Sequence, residues 1–181
     1  IIHFEGQRFD LSELPMHGQH NLNNALMAMY ASFLHGVDPQ KSFLALKNSN
    51  GVKRRFETIF QNNNKIVIDD FAHHPTAIST TVEAAINHFE SKKVIGIVEL
   101  ASNTMSRGHH GAELYDSASG LEQVYWLNLS SKKNQDFEYD SINLLLEDLK
   151  KDIDSIDVIL IMSNKDSKKI SEPIIDLIKS K

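Results

Sequence analysis

Carboxylates, imidazoles and a proline occur together in one stretch of the chain, directly after an apolar run. The stretch reads Asp69-Asp70-Phe71-Ala72-His73-His74-Pro75, and residues 66–68 before it are all β-branched. Ligands of open α/β sheets bind in the crevice beyond the carboxyl ends of the strands. We therefore expect Asp70, His73 and His74 to lie at the mouth of a strand, beside a helix amino end that favours anions. The alternative is that the carboxylates only end the strand and that His74 caps the helix.

Polar side chains also end the other strands that the sequence predicts. Glu99 follows the apolar run 94–98, Asn128 lies at the end of the run 123–129, and Ser163 and Asn164 follow the run 158–162. Because the carboxyl ends of parallel strands meet at one edge of a sheet, these side chains are expected to line a common crevice.

Two asparagines lie three residues apart in the segment His20-Asn21-Leu22-Asn23-Asn24. This spacing places Asn21 and Asn24 on one face of a starting helix. A carboxamide both donates and accepts hydrogen bonds, which suits an edge of adenine. The alternative for Asn21 is a simple helix N-cap.

A basic cluster and a polar loop are two further candidates. In Lys53-Arg54-Arg55 an arginine is able to form charge-assisted, bidentate contacts with a phosphate, although such a run is also typical of a solvated face. The long polar segment that follows Glu99 is a candidate substrate loop. It contains Ser102, Asn103, Thr104 and Arg107.

The pattern of apolar residues predicts two parts. A hairpin around Gly6 and two helices, 25–35 and 39–47, precede the turn cluster 48–51. Beyond that cluster, continuous apolar strands alternate with helices, which predicts an α/β fold with a Rossmann-like, mostly parallel sheet and helices on both faces. The predicted units are therefore 1–51 and 52–181.

Composition excludes several classes of function. The net charge of −5 over 181 residues argues against a nucleic-acid binder. The absence of cysteine removes thiol chemistry, and no apolar run is long enough to span a membrane, so a cytoplasmic location is expected. His17 and His20 have no nearby carboxylate, so no metal site is predicted. Neither a Walker A loop nor a Gly-x-Gly-x-x-Gly fingerprint is present.

Three segments together resemble, in order and spacing, the Mur ligases of peptidoglycan synthesis. They are residues 18–25, Arg55-Phe56-Glu57 and residues 69–76. Ser102-Asn103-Thr104-Met105 and Met162-Ser163-Asn164 resemble the branch that joins a murein tripeptide to UDP-N-acetylmuramate during cell-wall recycling. The chain departs from that branch at Leu100-Ala101, where Pro-Arg is usual, and at Lys165-Asp166, where two glycines are usual.

The resemblance implies an ATP-dependent amide ligase that works through an acyl phosphate. It implies that residues 1–51 end the central ATP-binding domain, that 52–181 form the C-terminal domain, and that the Mg²⁺ ligands lie mainly in the missing domains. This chain alone is then expected to be inactive.

The resemblance also implies a role for individual residues. Asn21 and Asn24 would contact adenine, Asp70 the ribose hydroxyls and Arg55 the γ-phosphate. The incoming peptide would be contacted by His73, His74, Ser102, Asn103, Thr104, Arg107, Ser163 and Asn164. The alternatives are the sibling ligase that adds L-alanine and a non-catalytic nucleotide- or peptide-binding module. The sequence indicates no oligomeric state.

Overall fold

The chain divides into two units, Ile1–Arg55 and Phe56–Lys181. The division falls a few residues after the predicted boundary at residue 51. The computed structural model describes residues 1–100, 111–128 and 138–181. Within these ranges no helix is both long and apolar enough to cross a lipid bilayer.

The first unit begins with the predicted hairpin. Strands β1 (Ile2–Phe4) and β2 (Gln7–Phe9) pair antiparallel. The turn between them is made by Glu5 and Gly6, with φ of 47° and 72°. Tight hairpin turns need left-handed backbone at both central residues, which is why a glycine stands here.

Two helices complete the first unit after a short 3₁₀ turn, Leu11–Glu13. Helix α1 (Gln19–Leu34) begins earlier than the predicted start at residue 25, and α2 (Pro39–Lys47) starts where expected. The Asp38 carboxylate caps α2 by accepting the amide of Gln40 at 2.9 Å. The core of this unit consists of Phe9, Leu11, Leu14, Ala25, Met29 and Phe43.

The second unit is built on a sheet that has six strands in the described residues. They are β3 (Glu57–Gln61), β4 (Ile66–Asp70), β5 (Val94–Glu99), β6 (Gln123–Leu127), β7 (Glu138–Tyr139) and β8 (Val158–Met162). Their order is β3-β4-β8-β5-β6-β7, and only β3 is antiparallel to its neighbour. The predicted mostly parallel α/β fold is confirmed. Strand β7 has only two residues and carries no apolar run, so it was not predicted.

Helices cover both faces of this sheet. They are α3 (Pro75–His88), α4 (Gly111–Asp116), α5 (Ile142–Asp152) and α6 (Lys168–Lys179). Apolar residues of α3 pack in one core with Ile68 and Leu160, whereas those of α5 and α6 pack in a second core with Ile159 and Ile161. Successive residues of β8 therefore face opposite cores, as side chains of a strand must. Helix α6 begins before the predicted start at residue 172, because burial of Ile170 outweighs the breaking tendency of Pro173.

Truncating a buried side chain in the central strand tests this arrangement. Ile161 is fully buried in β8, and replacing it with alanine should lower the free energy of unfolding by about 2–5 kcal/mol because a cavity remains. The measurement is urea denaturation followed by the fluorescence of Trp126, the one tryptophan of the chain. Leu144→Ala on the exposed side of α5 is the control, with an expected change within about 0.5 kcal/mol. Equal effects of the two substitutions would contradict the assignment of β8 to the centre of the sheet.

Candidate functional site

A small pocket lies beside α1 in the first unit. Asn21 and Asn24 both line it, so the predicted placement of the two amides on one helix face is confirmed. Its volume is about 170 Å³, below the roughly 300–1,000 Å³ of a site for a drug-sized ligand. The pocket therefore suits a single ring system rather than a whole nucleotide. It is lined by Met16, Asn21, Asn24, Ala25, Ala28, Leu46, Val52 and Arg55.

The polar groups of this pocket differ in exposure. Asn21 is 5% exposed, and its side-chain amide donates a 2.8 Å hydrogen bond to the carbonyl of His17. This bond orients the Asn21 amide and leaves its oxygen as the acceptor. Asn24 is exposed, and Arg55 adds positive charge to the rim. Small and apolar side chains form the remaining walls, so the pocket matches a flat heterocycle that carries an anionic group.

Polar residues meet at the carboxyl edge of the sheet in the second unit, as predicted. Strand β8 lies between β4 and β5, and Met162 pairs with both Asp70 and Val98. The amide of Ser163 donates to the carbonyl of Asp70 at 3.1 Å, and the Ser163 hydroxyl donates to the carboxylate of Glu99. The parallel register therefore brings three chain-distant segments together at this edge.

Ser163 has a structural position at this edge. Its side chain is 0% exposed, and its hydroxyl also accepts the amide of Lys165 at 3.0 Å. The Ser163 hydroxyl thus bonds within the protein, and its predicted substrate contact stays a prediction. Asn164 is only partly buried, and its predicted substrate contact remains a prediction.

Asp70 is likewise used inside the protein. Its carboxylate is 1% exposed and accepts hydrogen bonds from the amide of Phe56 at 2.7 Å, the amide of Ala72 at 2.8 Å and the hydroxyl of Thr81 at 3.3 Å. These three donors satisfy a buried carboxylate and tie the turn after β4 to the start of β3 and to α3. The ribose contact expected for Asp70 stays a prediction.

The two histidines occupy the turn between β4 and α3. His73 Nδ1 lies 2.9 Å from the carbonyl oxygen of Phe71. Because a carbonyl only accepts, the Nδ1 atom of His73 donates this hydrogen bond. His74 is exposed and takes the N-cap position of α3 without a side-chain capping bond. His74 therefore occupies the capping position, as the alternative interpretation expects, but its imidazole forms no capping hydrogen bond.

A buried carboxylate that the sequence did not indicate lies further along the edge. Glu138 in β7 accepts a 2.9 Å hydrogen bond from the side-chain amide of Asn128, and both residues are buried. Burial, together with the charge of Glu138 and a hydrogen bond to it, raises the pKa of Tyr115. No apolar periodicity marks a two-residue strand, so Glu138 had no signal in the sequence.

Four predicted substrate contacts cannot be placed. Ser102, Asn103, Thr104 and Arg107 lie outside the described residues.

Removing the Ser163 hydroxyl tests the edge network. In Ser163→Ala the buried Glu99 carboxylate loses a donor, so the free energy of unfolding should fall by about 1–3 kcal/mol. Ser180→Ala is the matched control, because the Ser180 hydroxyl bonds to the carbonyl of Leu177 in an exposed turn. Thermal and urea denaturation measure both variants. A Ser163→Ala protein as stable as the Ser180→Ala protein would contradict this network.

Comparisons with known proteins identify a family for this chain. The family model of the Mur ligase, glutamate ligase domain matches residues 54–165. The UDP-N-acetylmuramate–L-alanine ligase of Streptococcus pneumoniae (strain Hungary19A-6) is 33% identical over 164 residues, which cover 90% of this chain and 36% of that relative. The chain thus spans about a third of the length of the relatives it matches.

Two solved structures show the same fold. A murein peptide ligase from Psychrobacter arcticus 273-4 has a TM-score of 0.66 and 30% identity, covering 89% of this chain and 37% of that one. A UDP-N-acetylmuramate–alanine ligase from Thermotoga maritima has a TM-score of 0.62 and 25% identity, covering 90% and 38%. The resemblance noted in the sequence motifs is confirmed, and this chain belongs to the Mur ligase family, whose glutamate ligase domain it contains.

Proposed function

We propose that this chain is part of an ATP-dependent amide ligase that joins L-alanyl-γ-D-glutamyl-meso-diaminopimelate to UDP-N-acetylmuramate. The observation that carries the proposal is the convergence of Asn21, Asn24 and Arg55 on one pocket in a chain of this family. Residues 1–51 then end the central ATP-binding domain, and 52–181 are the C-terminal domain. The cytoplasmic location expected from the sequence stays a prediction.

The pocket beside α1 is the proposed adenine site. The Asn21 oxygen accepts from the exocyclic amine of adenine, and Asn24 pairs with a ring nitrogen. Ala25, Ala28 and Leu46 pack on the faces of the base. The volume of about 170 Å³ leaves the phosphates outside the pocket, toward the rim where Arg55 lies. A guanidinium there forms charge-assisted bonds with phosphate oxygens.

The reaction has two steps. An oxygen of the muramate carboxylate attacks the γ-phosphorus of ATP, and ADP leaves. The amine of the peptide then attacks the acyl carbon, inorganic phosphate leaves with the electron pair of the C–O bond, and the amine loses a proton. Arg55 stabilises charge that develops on the transferred phosphoryl group. The imidazoles of His73 and of the exposed His74 contact the incoming peptide.

Mg²⁺ supplies charge neutralisation in such phosphoryl transfers. In the ranges that the structure describes, no group of three histidine, aspartate or glutamate side chains could hold a metal ion. As the family resemblance implies, we propose that the Mg²⁺ ligands lie mainly in the other domains of the parent ligase.

The sibling ligase, which adds L-alanine, is the second candidate. The similarity to the Streptococcus pneumoniae enzyme favours it. The segment Ser102-Asn103-Thr104-Met105 and the similarity to the murein peptide ligase favour the tripeptide.

A substrate assay distinguishes these candidates. The full-length protein that carries this chain is incubated with ATP, Mg²⁺ and UDP-N-acetylmuramate, and phosphate release is followed with the tripeptide or with L-alanine. We expect release with the tripeptide at a kcat/KM at least tenfold higher than with L-alanine, and no release by the 181-residue chain alone. The reverse preference would establish the L-alanine ligase. Phosphate release with neither amine would refute the ligase proposal and favour a binding module.

Arg55→Ala tests the proposed phosphate contact. Because the contact strengthens as charge develops on the γ-phosphoryl group, kcat should fall by roughly 10²–10³-fold while the KM for ATP changes less. Steady-state kinetics of the full-length protein measure both constants. Arg8→Ala, at an exposed position of strand β2, is the control and should leave both constants unchanged. A rise in KM for ATP with unchanged kcat would show that Arg55 binds ground-state nucleotide only.

A further inference from the structure

We propose that the buried Asp69 carboxylate is a positioning residue for the loop between β8 and α6, and that it acts through the hydroxyl of Ser167. We call residues 163–167 the edge loop, because they follow β8 at the carboxyl edge of the sheet. The inference rests on the proposed function and on the peptide contact that the family resemblance implies for Asn164, which lies in this loop. All of these residues belong to the second unit.

The two neighbouring aspartates of β4 bind different helices. The hydroxyl of Ser167, at the start of α6, donates to Oδ2 of Asp69 at 2.7 Å. The hydroxyl of Thr81 in α3 donates to Asp70 instead. Successive side chains of a strand point to opposite faces of the sheet, and α3 and α6 pack in different cores. Asp69 therefore serves the side of the sheet that α6 covers.

Ser167 takes the N-cap position of α6 but uses its hydroxyl for another contact. A serine at this position ordinarily accepts an amide of the first turn of its own helix. The Ser167 side chain forms no such capping bond, and its backbone is helical, with φ of −61° and ψ of −17°. Its hydroxyl donates to Asp69 in the strand next to β8. The bond therefore ties the edge loop to β4 rather than completing the helix end.

The other end of the edge loop is bound in the same way. The Ser163 hydroxyl donates to the carboxylate of Glu99 in β5, the strand on the other side of β8. Both serines and both carboxylates are buried. Hydrogen bonds to an ionised acceptor are stronger than neutral ones, and a buried surrounding strengthens them further. The edge loop is therefore fixed at each end by a charge-assisted bond to a different strand.

The three residues between these two anchors are the part of the edge loop that is not buried. Asn164 is intermediate in exposure, and Lys165 and Asp166 are exposed. The amide of Lys165 donates to the hydroxyl of Ser163 at 3.0 Å. Within the residues that the structure describes, Oδ1 of Asn164 accepts no hydrogen bond. The placement of this amide oxygen therefore depends on the backbone that carries it, and so on the two anchors.

Loosening the edge loop should affect one substrate and not the other. Asn164 is the implied contact of the incoming peptide, and the proposed adenine pocket lies in the first unit. Loss of the Ser167 anchor should therefore weaken binding of the amine substrate and leave ATP binding as it is. A loss of folded protein would lower the apparent kcat without changing either KM, so the two KM values separate positioning from general destabilisation.

Ser167→Ala in the full-length protein tests this role. We expect the KM for the amine substrate that the protein accepts to rise roughly 5–20-fold, with the KM for ATP within about twofold. Phosphate release at varied concentrations of each substrate measures both constants. Ser167→Thr keeps a hydroxyl and should restore the KM for the amine substrate. Ser171→Ala is the matched control, because Ser171 lies in the same helix and is 4% exposed, compared with 5% for Ser167.

Two results of these kinetics would overturn the proposal. One is a rise in KM that is equal for both substrates, and the other is an equal effect of Ser167→Ala and Ser171→Ala. Asp69→Ala adds a double-mutant cycle. If Asp69 acts through Ser167, the double variant Asp69→Ala/Ser167→Ala should have the KM of Asp69→Ala within about threefold. Increases in KM that multiply would also overturn it.

Amide exchange supplies a measurement that does not depend on activity, and it needs only the serine variants if Asp69→Ala does not fold. The amide of Ile170 donates to the carbonyl of Ser167 at 3.0 Å, and that of Lys169 to the carbonyl of Asp166 at 3.2 Å. In the 181-residue chain, NMR should show both amides exchanging at least roughly tenfold faster in Ser167→Ala than in the natural sequence. Ser171→Ala should leave both rates unchanged.

Unchanged exchange in Ser167→Ala would overturn the anchoring role of the bond to Asp69. If the full-length protein has no ligase activity, the link to the peptide fails together with the proposed function. The exchange rates then still decide whether the Asp69 carboxylate holds the edge loop.

Discussion

The parallel pairing of β8 with both β4 and β5 is the constraint on which the second unit depends. Met162 is opposite Asp70 on one side and Val98 on the other. This register aligns the carboxyl ends of β4, β5 and β8 at one edge of the sheet, although β8 lies far from the other two strands in the sequence. Such a non-local pairing needs crossover helices on both faces, and α3, α5 and α6 supply them.

Side-chain alternation along the strands places the central strands between two packed cores. Ile159 and Ile161 face one core, while Val158, Leu160 and Met162 face the other. Each strand is thus held between two packed layers, and its last residue has little freedom. The polar groups at the strand ends are buried as well. Because water does not reach them, their hydrogen bonds must be made within the protein. The bonds from Ser163 to Glu99 and from Asn128 to Glu138 satisfy this requirement.

A division of roles follows from burial. Asp70 and Ser163 are closed to solvent and hold backbone segments, whereas Asn24 and His74 are exposed and able to contact a ligand. His73 is intermediate, since its side chain is partly buried and one ring nitrogen is bound to the carbonyl of Phe71.

Local features of the chain were readable from the sequence because they depend on near neighbours. The hairpin at Gly6, the Asp38 cap and the apolar strands follow from backbone sterics, capping and hydrophobic periodicity. The sequence motifs indicated the family. The position of β8 and the pairing of Glu138 are decided by contacts between residues far apart in the chain, which periodicity does not encode. The hydrogen bonds that Asp70 forms within the protein were not readable from the sequence for the same reason. An aspartate at a strand end looks equally suited to ribose or to protein donors, and only the tertiary structure places the Phe56 amide and the Thr81 hydroxyl against its carboxylate.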